Sequence, residues 1–95
     1  MKVPMSDISP EASLIEYPSR FPIKVMGPNV DGFAEAVVTV AKAFDPGFDG
    51  RQVEIRSSRG GRYLGLTITI LATSREQLDE LYRTLSTHPM VKVVL

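Results

Sequence analysis

RYLGLTITILA, residues Arg62–Ala72, alternates along most of its length. Leu64, Leu66, Ile68 and Ile70 fall on one side, and Tyr63, Gly65, Thr67 and Thr69 on the other. Successive side chains of a strand point to opposite faces, so the pattern predicts a long half-buried β-strand with one apolar face. Gly60 and Gly61 precede it, and Thr73-Ser74 follows as a helix-start signal, which places the strand in the middle of a sheet.

Working outward, Gln52–Ser58 alternates in the same way, with Val53 and Ile55 expected to face in and Gln52, Glu54 and Arg56 out. The Ser58-Arg59-Gly60-Gly61 turn joins the two strands as a hairpin. On the other side, Thr73 or Ser74 caps a helix with Glu76 or Gln77 at the capping-box position, and Leu78, Leu81, Tyr82 and Leu85 form its apolar stripe. His88-Pro89 closes that segment, and Val91–Leu95 reads as a last strand.

Nearer the start, Phe21–Met26 alternates and stops at Gly27-Pro28-Asn29. From Val30 to Phe44 the period lengthens, with Phe33, Val37, Ala41 and Phe44 on one stripe and Asn29 or Asp31 as the expected cap. Asp45-Pro46-Gly47 ends that helix and Asp49-Gly50 turns the chain again. The order β-α-β-β-α-β predicts an α+β, ferredoxin-like fold: a four-stranded antiparallel sheet with two helices on one face.

Ninety-five residues suffice for one domain, expected over 14–95. Residues 1–13, rich in Pro and Ser, read as a mobile tail, with Leu14, Ile15 and Tyr17 able to dock. Eleven basic and eleven acidic residues balance, which removes a global pull toward nucleic acid or anionic lipid. The absence of Cys excludes disulfides and thiolate metal sites. No run is apolar enough for a signal peptide or membrane span, so a cytoplasmic protein is expected.

Ile15–Tyr17 with Pro18, Phe21-Pro22-Ile23-Lys24-Val25-Met26-Gly27, Ser57-Ser58-Arg59-Gly60, Tyr63, Thr67–Ile70, Ala72-Thr73, Leu81-Tyr82 with Leu85, and Val91 through Val94-Leu95 together resemble the YbeD-like bacterial proteins. The match runs from about Leu14 to Leu95. The resemblance implies a fold similar to ACT-type regulatory domains, no established biochemical activity, and an association with lipoate metabolism. The chain departs from that pattern in a longer Gly60-Gly61 turn and at Gly65, where a small polar residue is expected.

Two candidate sites stand out. Gly27, Pro28, Asn29 and Asp31 link the first strand to the first helix, where backbone N–H groups can hold an anion, and in ACT-type domains the corresponding loop contacts a small effector. The same residues are ordinary turn and cap formers. Between Arg51 and Arg62, four Arg oppose only Glu54, a local charge of +3, so Arg56, Arg59 and Arg62 are candidates for an acidic partner or anion. The open sheet face is expected to carry Lys24, Met26, Arg56, Tyr63, Thr67, Thr69 and Val94, with Lys24 and Tyr63 as further contact residues.

His88, the single histidine, has no second His and no Cys to complete a catalytic or metal site, and reads as a turn residue. No nucleophile elbow, phosphate loop or metal-spaced acidic pair is present, and no cofactor is expected. The expected function is a regulatory or adaptor domain without catalytic activity, binding a protein partner or small anionic effector, with edge strands available to a second copy. The alternative is a nucleic-acid-binding module, which would want stacking aromatics where only Tyr63 stands.

Overall fold

The computed structural model describes residues 16–95. The elements are β1 (Ser19–Pro28), α1 (Phe33–Phe44), β2 (Glu54–Ser57), β3 (Tyr63–Ala72), α2 (Arg75–Thr87) and β4 (Val93–Val94), with a short 3-10 turn at Gly50–Gln52. The sheet order is β2-β3-β1-β4 and every pairing is antiparallel, the arrangement expected of a ferredoxin-like βαββαβ chain. The expected tail at 1–13, with Leu14 and Ile15, lies outside the described residues.

The alternation in β3 holds. Leu66, Ile68 and Ile70 are fully buried, opposite Val25, Ile23 and Phe21 of β1. Phe33, Val37 and Ala41 of α1 and Leu78, Leu81 and Leu85 of α2 cover that face, so one layer of helices seals one face of the sheet. β1 is longer than Phe21–Met26 at both ends because its ten residues pair continuously with the ten of β3.

At one end of β3 a polar clamp ties three elements together. Leu71 lies past the end of β2, and its N–H donates to Asp45 Oδ2 at 3.1 Å while its C=O accepts from Gln77 Nε2 at 3.2 Å. Asp45 Oδ1 also accepts the Gly47 N–H, and Gln77 Nε2 also donates to the Phe44 C=O, which anchors the last turn of α1. Ser74 is the N-cap of α2, its Oγ accepting the Gln77 N–H at 3.0 Å. Backbone groups left open where a strand outruns its neighbour are thus satisfied by side chains.

Several expectations need correction. α1 starts at Phe33, not Val30, and its N-cap is Gly32 at φ 91°, a left-handed conformation that suits glycine, with no side-chain cap from Asn29 or Asp31. β2 is shorter than Gln52–Ser58, because Asp49 accepts the Arg51 N–H and starts the 3-10 turn that takes in Gln52. Ile55 lies on the helix side in register with Leu66, yet remains 56% exposed on the edge strand of the sheet. Val94 pairs with Val25 and is buried, so Val93, opposite Met26, is the residue on the open face. β4 is two residues of regular strand, flanked by Leu95 N–H to Lys24 C=O and Lys92 N–H to Met26 C=O bonds.

Candidate functional site

The face of the sheet without helices carries a groove of about 440 Å³. Its floor is Gly65, which sits between Arg56 of β2 and Met26 of β1 in the cross-strand register. Thr67 lies two residues along the same face, between Glu54 and Lys24, and Tyr63 stands at the other end. The hollow exists because Gly65 projects nothing between two long side chains. Among the described residues, a Cβ built there meets only the Arg56 carbonyl oxygen, at 3.9 Å, so they leave the space open.

The electrostatics are mixed and local. Lys24 and Arg56 bring two positive charges to the groove and Glu54 one negative. Ion pairs among the described residues join Arg51 to Asp49, Arg75 to Asp79 and Arg83 to Glu80, and include neither groove cation. Met26 and the Tyr63 ring supply apolar surface beside those charges, both over a third exposed. Such a groove can hold an organic anion by its charged end while covering an apolar body, and its volume falls within the about 300–1,000 Å³ usual for small-ligand sites.

The structure brings Lys24, Arg56 and Tyr63 together in this groove and leaves Arg59 and Arg62 on the hairpin turn, outside its lining. Arg51 belongs to the 3-10 turn, where Asp49 holds it through a two-pronged contact, so it does not add to the hairpin's charge. That contact keeps the Asp49 carboxyl below its usual range, chiefly through the hydrogen bond from the Arg51 side chain. Ser58 shapes the hairpin: its N–H donates to the Tyr63 C=O and its Oγ accepts the Tyr63 N–H.

The Gly27–Asp31 loop adjoins the hairpin. Asn29 donates its backbone N–H to the Arg62 C=O and its Nδ2 to the Gly61 C=O, both at 2.8 Å. Gly27 is buried on the helix side, and a Cβ there would overlap the Phe33 ring and the Met90 carbonyl oxygen. Pro28 pairs with Tyr63 in the ladder and Asp31 is exposed. Asn29 is thus engaged in holding β1 to the hairpin turn. His88 caps the end of α2, with Nδ1 accepting the Met90 N–H at 3.1 Å.

Sequence reasoning singled out the open face and its cations but not Gly65 as the floor of a hollow. The signal available was a lone glycine inside a strand pattern, which marks a bulge or a close approach. Here there is no bulge, because the register runs unbroken on both sides of Gly65.

A model of a family described as "Protein of unknown function (DUF493)" matches residues 12–95. A UPF0250 protein of Leptothrix cholodnii is 66% identical over 91 residues, covering 96% of this chain and all of the relative. A UPF0250 protein of Bordetella pertussis is 63% identical with the same coverage, and one of Nitrosomonas europaea is 55% identical over 90% of this chain and 98% of its own. With the match extending over the whole sheet, both helices and the groove, the chain belongs to the DUF493 family, the family of the UPF0250 and YbeD-like proteins.

Proposed function

We propose that this chain is a small cytoplasmic regulatory or adaptor domain without catalytic activity, which binds an organic anion in the groove of the open sheet face. The observation that carries the reading is the hollow over Gly65 with Lys24 and Arg56 at its sides and Tyr63 and Met26 along it. A carboxylate would take the cations, and an aliphatic or aromatic body would lie on the apolar wall. The association with lipoate metabolism implied by the family resemblance calls for a ligand of this chemistry, a carboxylate on an apolar chain.

The test is calorimetric titration of the chain with octanoate and with lipoate as probes. Gly65→Val fills the floor at a position where a Cβ has room, so it should abolish binding while the fold persists. Lys24→Gln should weaken binding more at low salt than at high salt, since exposed charges are screened over about 8–10 Å at ordinary ionic strength. Undiminished binding by Gly65→Val would remove the groove from consideration.

A further inference from the structure

β2 is an edge strand whose four residues are all exposed. Its outer side is unpaired among the described residues. Ile55, in register with buried Leu66, is 56% exposed because the sheet ends there. Edges of soluble sheets are ordinarily blunted by Pro, a bulge or an inward charge. This one has no Pro, pairs with β3 in unbroken register, and turns an isoleucine toward the helix side.

The ladder phase says which backbone groups are free. Ser58 N–H donates to the Tyr63 C=O, so the alternate pairs Arg56–Gly65 and Glu54–Thr67 bond inward to β3. The N–H and C=O groups of Ile55 and Ser57 therefore point outward. An antiparallel partner can bond only to those residues, which limits the registers.

We propose that β2 pairs antiparallel with β2 of a second copy about a two-fold axis at Ile55. In that register Ile55 exchanges both backbone bonds with its counterpart, and the two isoleucine side chains meet on the helix side. Glu54 falls opposite the other copy's Arg56, and Arg56 opposite its Glu54, in the non-hydrogen-bonded pairs where side chains approach most closely. Centring the axis on Glu54 would oppose two carboxylates, and centring it on Arg56 two guanidiniums. The sequence Glu54-Ile55-Arg56 is thus self-complementary in one register and self-repelling in the neighbouring ones. The product is one continuous sheet with all helices on the same side. Glu54 and Arg56 also line the groove, whereas Lys24 on β1 and Gly65 on β3 take no part in the pairing. Gly65→Val with the ligand probes therefore tests the groove, and the charge exchange at Glu54 and Arg56 tests the pairing.

A four-residue strand gives a short interface, so the dimer is weak, with a dissociation constant on the order of 100 µM. Sedimentation velocity of the full chain from about 10 µM to about 1 mM should show a monomer passing to a dimer. Glu54→Lys alone and Arg56→Glu alone should each weaken association about tenfold or more, because both cross-strand pairs become repulsive. An equimolar mixture of those two variants should associate as strongly as the parent, since a mixed dimer restores both opposite-charge pairs. The exchanged double variant, Glu54→Arg with Arg56→Glu, should also self-associate, and circular dichroism should be unchanged throughout. A parent that stays monomeric to 1 mM, single variants that dimerise like the parent, or a mixture that fails to recover would each overturn the proposal.

Discussion

Gly27 and Gly65 lie on neighbouring central strands, one register step apart, and face opposite ways. On the helix side, the place where a Gly27 side chain would be is taken by the Phe33 ring and the Met90 carbonyl oxygen. On the open side, the place beside Gly65 meets nothing among the described residues nearer than the Arg56 carbonyl oxygen at 3.9 Å. The same residue type therefore serves two ends: at Gly27 it lets a helix and a loop close on the sheet, and at Gly65 it leaves a hollow that nothing among the described residues fills. An absent side chain that the fold itself uses is a packing device. One left vacant among the described residues, between Arg56 and Met26, is where the proposed ligand would lie.

The largest test of this contrast between faces is Ile68→Ala. Ile68 is fully buried under both helices, and its truncation should cost about 2–5 kcal/mol in urea denaturation. Thr67→Ala, on the open face next to it, should cost under about 1 kcal/mol. Comparable losses at the two positions would break the assignment of faces.

The two glycines come next. Gly27→Ala forces the Phe33 ring or the Met90 loop to move and should cost about 1–3 kcal/mol. Gly65→Ala meets no such neighbour and should be neutral or stabilising by about 0.5–1 kcal/mol, since glycine is a poor strand residue. A similar magnitude is expected at the clamp. Asp45→Ala strands the Leu71 and Gly47 N–H groups and should cost about 1–3 kcal/mol, read from the same denaturation curves.

The smallest effect on stability is expected from Arg59→Glu combined with Arg62→Glu. Both side chains are exposed on the turn and outside the groove lining, so the thermal midpoint should move by the equivalent of less than about 1 kcal/mol. Octanoate or lipoate binding should survive that change. Its loss would shift the anion site from the groove to the turn.

What could be read in the sequence was what repeats locally. Arg62–Ala72 shows both faces of β3 because strand alternation has a period of two, and the stripe from Leu78 to Leu85 shows α2 for the same kind of reason. Val94 reads as an open-face residue in the sequence but is buried opposite Val25, because a two-residue strand contains no period to phase. Asn29 was expected to cap α1, but its side chain crosses to Gly61, a partner too far along the chain for any local rule to select. The groove was hidden for the same reason: Gly65 becomes a floor only when Arg56 and Met26 are laid beside it by register.

The central claim, that the hollow over Gly65 is the binding site, is tested most directly by mapping amide shifts in a 15N-labelled chain during titration with octanoate. The account predicts saturable shifts concentrated at Lys24, Met26, Arg56, Gly65 and Thr67, with few at Phe33 or Leu81 on the helix side, and none of them in Gly65→Val. Shifts centred instead on Pro28 to Asp31 or on the Arg59–Arg62 turn, with Gly65 and Thr67 unmoved, would contradict it.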